Sequence, residues 1–346
     1  MAQPIGVNLV GSMPTSIQSS EEAFIKCTSV LSDRLLSIPD GETGARSLFT
    51  VWQAQSFPKD IYGILHNNWQ SLENPPARRF TLDDVGPTRY DDVAIESYKT
   101  FCDLREKGAI PPGVRFQVAI PSSVDACATH VDHAYIAQVE PLYRKRLLQS
   151  LRNLQDHIPA QDLAIQFDLP FALAYTDWER GRHQIPFFKP WFEPVREGLM
   201  QRIEELSDAV DKEVWLAYHL CYGDINHKHY LDPEDSKDLV TWANDITQRI
   251  APKHAIQWFH MPVPKDRTDY AYFEPLKQLR IGYARLFLGV VHAHDEAGTE
   301  QRIKSAQKVC TDFGIATECG LGRTPNEDLE SILEISKKLS APFPLN

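Results

Sequence analysis

The sequence has 346 residues, of which 42% are hydrophobic and 24% charged, and its 36 Lys and Arg against 47 Asp and Glu give a formal net charge of −11. No window approaches the roughly 18 apolar residues of a membrane helix, and the charges form neither a basic block nor an acidic tail, which argues against membranes and nucleic acids as main partners. A small molecule is the expected ligand, and the sequence leaves a homo-oligomer open.

The N-terminal segment, MAQPIGVNLVGSMP, lacks a basic region followed by a long apolar stretch, so we predict no secretory signal and a cytoplasmic protein. Six cysteines stand at no regular spacing: Cys27, Cys102, Cys127, Cys221, Cys310 and Cys319. In a large cytoplasmic chain such cysteines are mostly reduced thiols, and a subset of them can bind a metal.

Eight short apolar runs predict β-strands, at residues 5–10, 34–38, 114–120, 163–167, 214–218, 255–259, 286–291 and 314–317. Helical periodicity separates many of them, for example at 134–156, 194–211, 233–250, 299–312 and 326–339. Strands that alternate with helices form a parallel sheet, and eight such units predict an α/β protein with a closed (β/α)₈ TIM barrel. No GxGxxG motif follows the first strand, which argues against an open Rossmann sheet.

The longest gap between predicted strands lies after strand two, at residues 43–113, and contains Trp52, Trp69 and several prolines. We predict an insertion with irregular excursions that cover one end of the barrel. Internal repeats and Gly/Ser-rich linkers are absent from the sequence, so one TIM-barrel domain over residues 1–346 is expected.

Polar residues follow the predicted strands, and TIM barrels carry their chemistry at the carboxyl ends of the strands. In chain order the main ones are Ser12, Asp40, Glu42, Asp168, His219, Cys221, Asp224, His260, His292, His294, Glu318 and Cys319. This pattern predicts an active site at that rim, with His294 and Asp224 as the catalytic candidates.

His219 and Cys221 are two residues apart, so they point to the same face of an extended strand. A thiolate beside an imidazole is a natural start for a tetrahedral Zn²⁺ site, and Cys319 would supply a second thiolate. His292 and His294 form a competing pair, but zinc is well served by one histidine and two thiolates, which leaves His294 free as a general acid or base. The alternative is that the cysteines are small core residues and His219 a hydrogen-bonded wall residue.

Three carboxylates, Asp40, Glu42 and Asp168, would suit a substrate ammonium group, and Arg46 is the one nearby candidate for an anionic substrate group. The segment DGETG at 40–44 is also good turn chemistry, so a structural role is the alternative. These four residues are our candidates for substrate binding.

Several short motifs, in the same order along nearly the whole chain, resemble the catalytic barrel of cobalamin-independent methionine synthase, whose superfamily includes uroporphyrinogen decarboxylase. The matching segments, each with the family motif, are GSMPT at 11–15 (G-S-F-P), GE at 41–42 (G-E), IQFD at 165–168 (I-Q-x-D), HLCY at 219–222 (H-M-C-Y), GVVHAH at 289–294 (G-V-x-D-x-H) and CGL at 319–321 (C-G-L).

The resemblance implies that His219, Cys221 and Cys319 bind zinc. At the end of strand six the family has a carboxylate ligand, whereas this sequence has His260. A zinc site with two histidines and two cysteines is chemically sound, so we predict His260 as the fourth ligand.

The resemblance also implies that Ser12, Glu42 and Asp168 hold the amino-acid part of a thiol substrate and that His294 is the acid or base. The implied function is that of a zinc-dependent transferase, which joins an alkyl or methyl group from a donor to a small, homocysteine-like thiol. A metal-independent decarboxylase or lyase, with His294 and Asp168 as its acid–base pair, is the alternative. A non-enzymatic binding or scaffold barrel is a third hypothesis.

Overall fold

The computed structural model describes residues 2–48, 50–182, 184–223, 229 and 231–344. Eight parallel strands form a nearly closed barrel with helices between them, so the predicted TIM barrel is confirmed. The strands are β1 (Val7–Asn8), β2 (Ser37–Pro39), β3 (Arg115–Pro121), β4 (Leu163–Asp168), β5 (Trp215–His219), β6 (Ile256–Pro262), β7 (Arg285–Val291) and β8 (Gly314–Thr317). Around the barrel they follow the order β1-β8-β7-β6-β5-β4-β3-β2.

Ten α-helices lie in the described part of the chain. They are α1 (Ser20–Leu31), α2 (Tyr90–Glu106), α3 (Ser123–His130), α4 (Ile136–His157), α5 (Pro170–Glu179), α6 (Val195–Asp208), α7 (Lys237–Ile250), α8 (Tyr270–Phe273), α9 (Glu296–Ala306) and α10 (Asp328–Leu339). The predicted helix at 299–312 begins earlier because the side chain of Asp295 accepts a hydrogen bond from the N–H of Gly298. Over these residues, no helix has the length and apolarity that a bilayer crossing requires.

The first strand is shorter than predicted because the carbonyl groups of Leu9 and Val10 accept hydrogen bonds from side chains instead of from a neighbouring strand. The buried amide of Gln117 on β3 donates to the Leu9 and Val10 carbonyls at 2.9 and 3.1 Å, and Gln166 on β4 donates to Val10 at 2.9 Å. These bonds fix the segment that leads into Ser12, one of the predicted site residues.

Large rings fill the barrel below the polar strand ends. Ala164, Ala217 and Ala316 are small and fully or almost fully buried, which leaves room for the rings of Trp258 and Phe287 in the same cluster. Inward-pointing layers of this kind make a TIM barrel a packed core rather than a pore. The space for a ligand is therefore at the rim above this layer.

The segment between β2 and β3 consists of short 3₁₀ turns followed by helix α2, which the sequence analysis did not predict. It is attached to the end of α3 by backbone hydrogen bonds from Gly63 to His130 (2.9 Å) and from Asp132 to Ile61 (2.8 Å). The ring of His130 adds a bond to the Thr50 carbonyl at 2.6 Å and one to the ring of His66 at 2.7 Å.

Because His66 and His130 pair here, we expect acid to weaken the attachment of the segment between β2 and β3. Burial, and then the charge of His66, lowers the pKa of His130 from 6.5 to about 4. Since the unfolded chain takes up this proton near its ordinary pKa, the stability that neutral His130 contributes is complete above about pH 6.5 and is lost as the pH falls toward about 4. We expect the free energy of unfolding to fall by roughly 3 kcal/mol over that range.

Urea unfolding at a series of pH values tests this expectation. The His130→Gln variant should show a flatter dependence of unfolding free energy on pH than the wild type. A matched His157→Gln change, at an exposed histidine of α4, should leave the wild-type slope in place. Equal slopes for all three proteins would contradict the prediction.

Candidate metal centre at the barrel mouth

Three potential metal ligands from distant parts of the sequence converge at the carboxyl end of the barrel. His219 ends β5, Cys221 follows it by two residues, and Cys319 follows β8. The Sγ atom of Cys319 lies 3.9 Å from Cys221 Sγ and 3.7 Å from His219 Nε2, and all three ligand atoms lie within 4.8 Å of one another. The structure therefore brings together the trio that the sequence proposed.

The surroundings of Cys319 favour its thiolate form. The hydrogen bond from Cys221 holds the pKa of the Cys319 thiol well below its ordinary value, against the effect of burial, and the hydrogen bond and charge of His219 act in the same direction. Burial acts to lower the pKa of His219, but the hydrogen bond and charge of Cys319 and the charge of Asp168 leave it raised. A thiolate is the form of cysteine that binds a metal ion.

His260 lies beside His219 but does not join this group. The two residues are paired across β5 and β6, and their Nδ1 atoms are 2.6 Å apart. The other nitrogen of His260, Nε2, lies 2.8 Å from the carbonyl oxygen of Thr317 on β8. Both ring nitrogens are thus engaged, so the structure does not bring His260 into the four-ligand set that the sequence analysis expected. Burial, and then the charge of His219, places the pKa of His260 well below its ordinary value.

The predicted substrate residues Ser12, Glu42 and Asp168 line one cavity of about 500 Å³ together with the metal-ligand trio. Glu42 has a left-handed backbone (φ 45°), and its carboxylate lies so close over Gly11 that a Cβ atom there would be 2.5 Å from Oε1. Burial, and then the charge of Asp168, raises the pKa of Glu42 well above its ordinary value. Burial also raises the pKa of Asp168, to about 6, although the charge of His219 opposes it. Two neighbouring carboxyl groups, Asp168 buried and Glu42 half-buried, that resist ionisation together make a site that favours a cation.

Asp40 and Arg46 bind each other. Arg46 donates to both carboxylate oxygens of Asp40, at 3.2 and 2.8 Å, and the hydroxyl of Ser97 donates to the same carboxylate at 2.7 Å. Asp40 also accepts the backbone N–H of Glu42 at 2.9 Å, which shapes the turn that carries Glu42. This geometry fits the structural alternative for residues 40–44, since Asp40 and Arg46 line a neighbouring cavity and not the one beside the trio.

A larger cavity, of about 1220 Å³ including its open mouth, adjoins the first one, since Cys221 and Cys319 line both cavities. His294 lines the larger one with its side chain 65% exposed, and its Nε2 atom lies 3.0 Å from Asp328 Oδ1. The other catalytic candidate, Asp224, lies outside the described residues.

Sequence reasoning did not single out three further residues at this mouth. Arg323 lines the smaller cavity, and its charge helps to lower the pKa of Cys319. In the larger cavity, Nε2 of His229 lies 3.0 Å from the carboxylate of Glu318, and the N–H of Gly223 donates to Cys221 Sγ at 3.3 Å. The sequence offered a signal for two of them, since Gly223 directly follows the HLCY segment and Arg323 lies two residues beyond the CGL segment.

No protein-family model matches the sequence, and no curated protein matches it. Two solved structures are similar along almost the whole chain. A B12-independent methionine synthase from Shewanella sp. W3-18-1, in complex with selenomethionine, has 14% sequence identity and a TM-score of 0.54, and the match covers 97% of each chain. A methyltransferase from Methanosarcina mazei has 14% identity and a TM-score of 0.52, with 97% of this chain and 94% of the other covered. At this identity the likeness shows a shared barrel fold.

Proposed function

We propose that this protein is a zinc-dependent transferase that activates a small thiol and alkylates it at sulfur. The observation that carries the proposal is the convergence of His219 Nε2, Cys221 Sγ and Cys319 Sγ at the barrel mouth. The motif resemblance and the fold shared with a methionine synthase and a methyltransferase support the same chemistry.

The donor set of the trio fits zinc in kind, and the two separations that involve Cys319 fit zinc in spacing. Two sulfurs held about 2.3 Å from one tetrahedral Zn²⁺ lie about 3.8 Å apart, and a sulfur and a nitrogen lie about 3.6 Å apart. The separations here are 3.9 Å between Cys221 and Cys319 and 3.7 Å between Cys319 and His219. Three protein ligands are typical of catalytic zinc sites, which keep one position for a substrate or water.

Zn²⁺ in this site would keep a coordinated thiol deprotonated at neutral pH, which is its nucleophilic form. The protein residues would orient the thiol. Glu42 and Asp168 would bind an ammonium group of the substrate, because a cation stabilises two neighbouring carboxylates. The oxygen of Ser12 accepts the N–H of Gly322 at 3.0 Å, and its hydroxyl group would donate to a substrate carboxylate.

The alkyl donor would approach from the larger cavity, which His294 lines and which shares Cys221 and Cys319 with the cavity of the thiol. In the reaction a sulfur–carbon bond forms, and the bond between that carbon and the leaving group of the donor breaks. His294, whose Nε2 atom lies 3.0 Å from Asp328 Oδ1, would donate a proton to the leaving group. The thiol proton is released to solvent when the thiol binds.

The alternative of a metal-independent decarboxylase gains no support from the geometry. Its acid–base pair, His294 and Asp168, would have to act on one substrate atom. The two side chains line different cavities, Asp168 the smaller one and His294 the larger one.

Metal analysis of protein purified without an affinity tag tests the proposal. We expect about one zinc ion per chain. Its removal by a chelator should stop the alkylation of an amino-acid thiol by an activated alkyl donor, and added zinc should restore it. Full activity in protein shown to be free of metal would refute the proposed function.

A further inference from the structure

The fully buried histidine on β6, His260, has no role in the transfer chemistry described above, although it touches a metal-ligand candidate directly. Its neighbours determine where its proton lies. The carbonyl oxygen of Thr317 can only accept a hydrogen bond, and His260 Nε2 lies 2.8 Å from it. His260 therefore carries a hydrogen on Nε2.

The bond between the two histidine rings follows from this hydrogen. His260 has an exposed fraction of 0%, and in the described part of the chain its two hydrogen-bond partners are the Thr317 carbonyl and the His219 ring. An imidazole with its hydrogen on Nε2 has a lone pair on Nδ1. Over the 2.6 Å between the two Nδ1 atoms, His260 therefore accepts and His219 donates.

The direction of this bond decides which nitrogen His219 can offer to a metal. Because its hydrogen on Nδ1 is donated to His260, the lone pair of neutral His219 is on Nε2, the atom that lies 3.7 Å from Cys319 Sγ. We propose that His260 is a positioning residue that, through the Thr317 carbonyl, fixes the tautomer and orientation of His219 so that Nε2 faces the two cysteines. The role of His260 in metal binding rests on the proposed function, whereas the hydrogen bonds between His219, His260 and Thr317 do not depend on it.

The backbone of the neighbouring strands makes this relay possible. A Cβ atom on Gly289 of β7 would lie 2.7 Å from the Thr317 oxygen, so only glycine leaves that oxygen room. The pairing of β7 with β8 shifts register between Leu288 and Val291, at the same place. The Thr317 hydroxyl donates to the Cys319 carbonyl at 2.8 Å. Thr317 therefore contacts both His260 and the backbone of Cys319.

Two substitutions separate a positioning role from a ligand role. In His260→Gln the amide can still donate to Thr317 and accept from His219, but it is a poor zinc ligand. In His260→Leu both bonds are lost. Loss of an outer partner of a metal-bound histidine costs about 10- to 100-fold in metal affinity. We expect that loss for leucine and most of the wild-type affinity for glutamine, measured by competition with a chromogenic zinc chelator.

Cobalt-substituted protein adds a readout of coordination. The absorption bands of Co²⁺ should be the same in the wild type and in His260→Gln, because the ligand set is unchanged. His254→Gln, at a buried histidine before β6 whose ring also lies against backbone carbonyls, is the matched control and should behave as wild type. Equal loss of zinc in the glutamine and leucine variants, with altered cobalt bands, would overturn the inference in favour of His260 as a ligand.

A measurement on metal-free protein keeps this inference separate from the proposed function. In ¹⁵N-histidine-labelled protein at alkaline pH, nitrogen chemical shifts should place the hydrogen of His219 on Nδ1 and that of His260 on Nε2. The opposite tautomer for either ring would overturn the inference even in a protein that binds zinc. Failure of the wild type to bind zinc would refute the proposed function and leave the tautomer assignment standing.

Discussion

Replacing Cys319 by serine is expected to remove tightly bound zinc from the protein and to abolish thiol alkylation. Cys319 contacts both other members of the trio, and its environment holds its pKa below that of an ordinary thiol. A serine hydroxyl stays protonated in the same place, so only His219 and Cys221 would remain as described ligands. Zinc binds to protein sites with an apparent free energy of about 10 kcal/mol or more, which the ligands share. Loss of one ligand should therefore weaken zinc binding by at least about 100-fold.

The matched control for this prediction is Cys310→Ser. Cys310 is a partly buried cysteine that follows α9, and its sulfur contacts the carbonyl of Asp312, away from the barrel mouth. Zinc content by atomic absorption and affinity by chelator competition should be unchanged in this variant. A Cys319→Ser protein that keeps one zinc ion at the wild-type affinity would show that the trio is not the metal site.

Replacing Asp168 by asparagine is expected to weaken the binding of thiols that carry an ammonium group, and to spare thiols that lack one. Asp168 ends β4 in the cavity beside the trio, and its carboxylate accepts a hydrogen bond from the amide of Gln166 at 2.9 Å. A hydrogen bond to a charged group contributes about 1.5 to 3 kcal/mol, so affinity for an amino-acid thiol should fall by about 10- to 150-fold.

Calorimetric titration of the zinc-loaded protein with homocysteine and with 4-mercaptobutyrate, which lacks the amino group, measures this difference. Glu42→Gln should produce the same selective loss, since both carboxylates would face the ammonium group. Asp162→Asn is the control, because Asp162 precedes the other end of the same strand and pairs there with Arg105 at 2.7 Å. If the Asp168 variant lost affinity for both ligands equally, the ammonium subsite would be refuted.

The strand ends show how far sequence reasoning reaches. Each strand was recognised from a short apolar run, because burial on both faces of a parallel strand leaves a local signature. Once eight strands were counted, the barrel placed their carboxyl ends at one rim, and that was enough to bring Ser12, Glu42 and Asp168 together with His219 and Cys319. Helix α2 was missed because it lies inside a long segment of turns and prolines.

Other assignments depended on contacts between residues far apart in the sequence. Asp40 and Arg46 are six residues apart, and the sequence left open whether they would bind a substrate or each other. The bonds from Arg46 and Ser97 answer that question, and Ser97 lies on a helix that the sequence analysis did not predict. His260 stands where the family that the motifs resemble has a carboxylate ligand, and the motif alone therefore suggested it as a fourth ligand.

By itself, the sequence determined the barrel, the rim and the residue types at that rim, because alternation of apolar runs and helices is a local property of the chain. Only the tertiary structure decided what each rim side chain faces. The ring of His260 on β6 reaches the Thr317 carbonyl on β8 because Gly289, on the strand between them, has no side chain beside that oxygen, and no spacing in the sequence encodes this contact. Hydrogen-bond direction is set by such through-space partners, so the contacts behind the proposed positioning role of His260 had to come from the fold.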